Sequence, residues 1–180
     1  MEEMRSVYLS PSIQEWNIGV GDFGTEEQRM NEIADIVERE LKNKGYIVYR
    51  NRPEQTLKQV VEESNNLNPN IHVAMHSNAS GEGYNGKGPE IYTNRADTSG
   101  DRLAHYIYNE IEGIYPNPEN GRGVLYTDAL YEIKNTLSPS VLLEVAFHDN
   151  EEDAKWITQN VENIGIAIAK GIDNYFNQLS

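Results

Sequence analysis

Hydrophobic and polar positions along this chain switch repeatedly between the period of a strand and the period of a helix. Residues 6–9 form a short apolar run that reads as a first strand. A polar, glycine-containing stretch over residues 10–23 follows, long for a strand-to-helix connection and therefore a candidate for function. Thr25 is placed as a helix N-cap, with Glu26, Glu27 and Gln28 in the first turn. Met30, Ile33, Ala34, Val37 and Leu41 then recur at helical spacing until Gly45. Residues 46–49 read as a second strand, Leu57, Val60 and Val61 as a short helix, and residues 71–76 as a third strand. Two further short strands, Glu90–Thr93 and residues 124–126, flank a helix predicted over about 100–114 that stops before Pro116 and Pro118. A helical turn at 129–133 precedes a strand at 141–147. Residues 151–179 read as one closing helix with Trp156, Ile157, Val161, Ile164, Ile168 and Ile172 inward. Strands alternate with helices, without internal repeat or linker. The pattern predicts one α/β domain over residues 1–180, a mainly parallel twisted sheet of about five to six strands with helices on both faces.

Composition narrows what this domain can do. There are 29 acidic and 15 basic residues, a net charge of −14. Such a surface repels polyphosphate, which argues against nucleic acid as a partner. Cysteine is absent, so neither disulfides nor thiol chemistry is available. No segment is apolar for long enough to span a bilayer, and the N-terminus enters the first strand without the apolar core of a signal peptide. The expectation is a monomer made in the cytoplasm, without membrane insertion.

Three polar residues break the apolar pattern at places that matter. The third strand ends on His76 and passes into a Ser/Asn-rich loop. In open α/β sheets ligands sit outside the carboxyl ends of the strands, and imidazole is the commonest protein metal ligand. Glu144 stands alone between Leu143 and Val145. Burial there should raise its pKa and suit it to acid–base work on a water. A structural role, paired with Lys134 or Arg122, is the alternative. Glu26 continues the inward face of the first helix to its first turn, where it could bind a metal or simply complement the helix dipole. Glu27 could turn inward in its place. His72 lies on the same face as His76 but roughly 13 Å away, too far to share a metal, and reads as structural. His105 reads as a surface or packing residue. His148, in the loop after Glu144, could reach the same sheet edge.

Taken in order, these segments resemble the zinc-dependent N-acetylmuramoyl-L-alanine amidases of bacterial autolysins and phage endolysins. Leu9-Ser10-Pro11-Ser12 stands where that family has a strand and an Asp-Pro-Gly-His turn. Glu26 falls where the family has a zinc-binding glutamate. Val73-Ala74-Met75-His76-Ser77-Asn78-Ala79 is similar to the strand that ends in a zinc histidine. Glu90-Ile91-Tyr92 resembles the Gly-x-Glu-x-Tyr strand, and Val141-Leu142-Leu143-Glu144-Val145-Ala146-Phe147 the strand with the catalytic glutamate. The resemblance implies zinc as cofactor, bacterial peptidoglycan as substrate, and cleavage of the amide joining N-acetylmuramic acid to L-alanine. It implies Glu26 and His76 as zinc ligands and Glu144 as the catalytic residue. It also implies action at the cell wall, after lysin-like release or by another export route. The family's first zinc histidine has no counterpart: Ile13 or Gln14 occupies its place. A catalytic zinc has about three protein ligands, so Gln14 is the expected third, with Glu15 and His148 as alternatives. Residues 19–24 and 77–88 are expected to wall the substrate groove. Two other readings compete: a wall-binding module that has lost its metal, and a related zinc peptidase.

Overall fold

β1 (Ser6–Pro11) leads through α1 (Glu26–Asn43) to β2 (Ile47–Arg50), and α2 (Leu57–Leu67) leads on to β3 (Ile71–Asn78). β4 (Glu90–Thr93), α3 (Ser99–Glu112), β5 (Gly123–Tyr126), α4 (Tyr131–Asn135), β6 (Ser140–Phe147), α5 (Glu151–Gln159) and α6 (Val161–Asn177) complete the chain. These elements come from a computed structural model that describes residues 4–81 and 83–179. The strands form one sheet in the order β2-β1-β3-β6-β4-β5. β2, β1, β3 and β6 are mutually parallel, while β4 pairs antiparallel with β6 and parallel with β5. The expected α/β class and mainly parallel sheet hold.

The two sheet faces are covered unequally, and the alternation within each strand shows how. Val7 and Leu9 of β1, Ile71, Val73 and Met75 of β3, and Val141, Leu143 and Val145 of β6 point to one side, into the main core. There α1, α3 and α6 bury the apolar stripes that their helical spacing created. The other face carries Ser10, His72, His76, Ser140 and Glu144, with only a small cluster of Ala74, Ile133 and Leu142 beneath α2 and α4. A strand whose every second residue is polar buries those residues only where partners are supplied.

Connectivity then fixes where ligands can go. α1 carries the chain from β1 to one neighbour, β2, and α2 carries it back across to the other, β3. Such a reversal leaves a crevice at the carboxyl ends of β1 and β3. Ser12 and His76 stand on its rim, with the Ser12 backbone N–H donating to the Met75 carbonyl at 2.9 Å. β3 runs past His76 to Asn78, and its register against β6 shifts between these two residues. Such irregularities re-aim side chains at strand ends.

The closing helix is two helices. Asn160 leaves helical geometry at φ −126° and ψ 21°, and its side-chain amide donates to the Trp156 carbonyl at 2.8 Å. The apolar spacing runs unbroken from Trp156 through Val161, so the pattern alone carries no sign of this turn. The turn lets α6 settle against α1 and α3 at short range. A Cβ on Gly165 would stand 2.4 Å from Ile36 Cβ, and one on Gly171 2.7 Å from Ile107 Cα.

Candidate active site

The start of α1 brings a carboxylate to the crevice. The Thr25 side chain accepts from the Gln28 backbone N–H, capping the helix and setting Glu26 in its first turn. Glu26 is 1% exposed. Its Oε1 lies 2.8 Å from His76 Nδ1, and its Oε2 accepts from the Asn17 side-chain amide at 2.6 Å. Burial acts to raise the Glu26 pKa, but the His76 hydrogen bond and charge, with Asn17 and Ser12, hold it below the usual carboxylate value. Glu27 lines the groove outside and makes no contact with His76, so Glu26 is the first-turn carboxylate that reaches the crevice.

His76 is approached from both ring nitrogens. On the Nδ1 side the Gln14 side-chain amide lies 3.5 Å away, beside Glu26. On the Nε2 side Glu132 Oε2 stands at 3.7 Å. Burial acts to lower the imidazole pKa, yet the carboxylates of Glu132 and Glu26, with the charge of Glu144, hold it well above the ordinary histidine value.

Glu144 is the partner of His76 in the β3–β6 register, and Glu90 of β4 faces it from the other side. Neither predicted basic partner meets it. Arg122 pairs instead with Glu90, Nε to Oε2 at 2.9 Å. Glu144 Oε2 is buried without a hydrogen-bond partner among the described residues. Burial pushes the Glu144 pKa up to about 8; the His76 charge works against this, and Glu26 and Glu90 add to it. An ionisable group so placed in a cleft is a candidate for proton transfer.

The remaining predicted residues fall at different depths. Glu15 is exposed and lines the groove without touching His76. His148 is buried behind the site, its Nδ1 2.9 Å from Ser77 Oγ and its Nε2 3.2 Å from Asn17 Oδ1. It reaches Glu26 only through Asn17. His72, read as structural, is fully buried, but Glu132 links it to the site: His72 Nε2 donates to Glu132 Oε1 at 2.9 Å. Asn17 and Glu132 were not legible as site residues. One lies in a polar loop and the other in a short helical turn, where amide and carboxylate side chains are ordinary.

The crevice opens into a groove of about 980 Å³. Ile13 to Trp16, Pro53 to Leu57, and Leu130 to Glu132 wall it, over His76, Leu142 and Glu144. Residues 19–24 and the described residues of 77–88 take no part. Val20, Gly21 and Asp22 line a separate hollow against α5, because the Val20 backbone N–H is tied to the His148 carbonyl at 2.9 Å. Trp16, 71% exposed, and Tyr131, 42% exposed, stand at the groove mouth.

A half-buried carboxylate with one unpartnered oxygen, next to a histidine clasped by a second carboxylate at the switch point of an α/β sheet, makes a site suited to proton transfer. The chain belongs to the family described as N-acetylmuramoyl-L-alanine amidase, which matches residues 7–174. It is 26% identical over 179 residues to the N-acetylmuramoyl-L-alanine amidase LytC of Bacillus subtilis, an alignment covering 95% of this chain and 35% of that protein. The chain spans about a third of the length of the curated relatives it matches. Among solved structures, the catalytic domain of the amidase CwlV from Bacillus (Paenibacillus) polymyxa var. colistinus superposes with a TM-score of 0.82 at 25% identity, covering 97% of this chain and 99% of that one. The amidase AmiC2 of Nostoc punctiforme gives a TM-score of 0.84 at 23% identity, covering 96% and 97%.

Proposed function

We propose that the chain acts as a single catalytic domain over residues 1–180, hydrolysing the amide between N-acetylmuramic acid and L-alanine in bacterial peptidoglycan. The observation that carries this reading is the unpartnered Glu144 Oε2 beside His76, in a groove open to a polymer, within a chain of the amidase family.

The donors around His76 Nδ1 suit a zinc ion. No three His, Cys, Asp or Glu side chains converge as a metal cage among the described residues. Glu26 Oε1 and His76 Nδ1 do meet, and the Gln14 amide stands against the same nitrogen. A half-turn of that amide presents its oxygen, a neutral donor that zinc accepts less strongly than imidazole. Glu26, His76 and Gln14 would hold the ion. Bound zinc lowers the pKa of a water and polarises a carbonyl.

The chain's own groups do the rest. A cation held beside His76 would lower the Glu144 pKa, and the ionised Oε2 takes a proton from the attacking water and returns it to the alanine nitrogen as the amide bond breaks. Asn17, itself bonded to His148, holds Glu26 Oε2 and leaves Oε1 on the side of His76 Nδ1, where it would hold the ion. Trp16 and Tyr131 supply apolar faces against which the lactyl-peptide segment packs. The protein works as a monomer at the cell wall, without membrane insertion; no described helix is long and apolar enough to cross a membrane.

A non-catalytic wall-binding reading is favoured by one observation, that Gln14 stands where the family has a zinc histidine. Elemental analysis of the purified chain separates the two. About one zinc per chain supports the hydrolase, and zinc absent after incubation with excess metal sinks it.

A further inference from the structure

Glu132 divides its two oxygens between different histidines. Oε1 accepts from His72 Nε2 and from the Ser10 hydroxyl. Oε2 is turned to His76 Nε2, 3.7 Å away. That separation is an ion-pair contact, a few tenths of an ångström beyond a hydrogen bond. The carboxylate is held in this attitude from behind. His72 Nδ1 meets Ser64 Oγ at 2.8 Å, and its ring stacks on Tyr8 at 5.2 Å with an interplanar angle of 9°. Glu132, His72, Ser64 and Ser10 are all buried, and only Glu132 borders the groove.

A neutral imidazole carries one N–H and one lone pair, and the partner of one nitrogen decides the state of the other. Each ring nitrogen faces a carboxylate, Nδ1 that of Glu26 and Nε2 that of Glu132; with an ion on the Nδ1 side the single N–H must sit on Nε2, and the Glu132 carboxylate favours it there. The lone pair is then left on Nδ1, the side where Glu26 and Gln14 converge. We propose that Glu132 is the positioning residue of the metal site, fixing His76 as the Nε2–H form so that Nδ1 faces the ion. The proposal rests on the metal-binding reading above. It gives the buried His72–Ser64 pair a purpose that core packing alone does not require. It also supplies what a site with an amide as its third donor lacks, because a carboxylate on the far nitrogen makes a histidine ligand more basic.

The test is zinc affinity of the purified full chain, measured by competition with a chromophoric chelator, in wild type, Glu132→Gln and Glu132→Asp. Zinc alone is the probe, and melting of the metal-free proteins reports folding. Wild type should take up about one zinc, and Glu132→Gln should bind it about 10- to 100-fold more weakly. Glu132→Asp keeps the charge but draws it away from His76, so it should also lose affinity. The zinc-loaded wild type should show a slowly exchanging His76 Nε2 proton by NMR that either variant loses. Equal affinity and equal proton exchange in all three overturn the positioning role while leaving the zinc site standing. Failure of wild type to take up zinc overturns both. Where Glu132→Gln does not fold, the Glu132→Asp comparison decides.

Discussion

Glu144 is held by its strand in surroundings that favour the neutral acid, and this has a consequence for stability. Its unfolded value is near 4.5 and its folded value about 8. Across that window the folded metal-free chain keeps a proton that the unfolded chain has released, so stability falls as pH rises and levels off above. Glu144→Gln cannot ionise and escapes this slope. Urea unfolding of the metal-free proteins should show the variant gaining on wild type from about pH 4.5 to about pH 8, by a few kcal/mol in all. A constant difference across the series would contradict the burial assigned to Glu144. Trp16 makes a different prediction, since it stands at the groove mouth and away from Glu144 and His76 in the proposed reaction. Trp16→Ala should raise KM about fivefold with kcat nearly unchanged, losing roughly 1 kcal/mol of binding common to ground and transition states. Initial rates on soluble muramoyl-peptide measure it. Glu26, His76 and Glu144 were legible in the sequence because each is a polar residue on an otherwise apolar face, Glu26 in the first turn of α1, His76 late in β3 and Glu144 inside β6. Glu132 and Asn17 interrupt nothing, and only three-dimensional proximity reveals them.

Elements whose polar and apolar residues follow one clear period were read to within a few residues. The apolar stripe of α1, from Met30 to Leu41, matches its buried face, and the cap at Thr25 marks its start. Where two neighbouring helices share a continuous apolar spacing, as α5 and α6 do, the break at Asn160 was invisible. It depends on where α6 must lie against α1 and α3, which is a property of the assembled layer. That layer is tight enough to test. Gly171 touches backbone atoms of α3, and a methyl group there has nowhere to go: Tyr106 O would lie 2.8 Å from it. Gly171→Ala should destabilise by about 1–3 kcal/mol despite its better helix propensity, measured as a lower denaturant midpoint. An unchanged or higher midpoint would show that the α3–α6 packing is looser than described. The β3 strand teaches a related point. Read as an apolar run, it alternates Ile71, Val73 and Met75 with His72, Ala74 and His76, and each set faces its own layer.

At the scale of the whole molecule, one face of the sheet builds the core and the other, thinly covered, carries the chemistry. The α/β class followed from alternating elements, but not the antiparallel β4 or the groove walls. The groove walls depend on the paths of the loops around residues 13–16, 53–57 and 130–132, which polar spacing does not encode. The net charge of −14 acts on this scale too. Peptidoglycan stems carry carboxylates, so like charges oppose the encounter and salt screens them. Sedimentation with isolated walls should show binding that strengthens from about 0.01 to about 0.15 M salt; weakening over that range would mean that a cationic face, and not the net charge, governs docking. The most direct measurement is product analysis of peptidoglycan digested by the purified chain. The account predicts new free amino termini on L-alanine with the glycan strands intact, and a loss of about 10²- to 10⁴-fold in that rate for Glu144→Gln. New reducing sugar ends, cleavage within the peptide stem, or full activity in Glu144→Gln would contradict it.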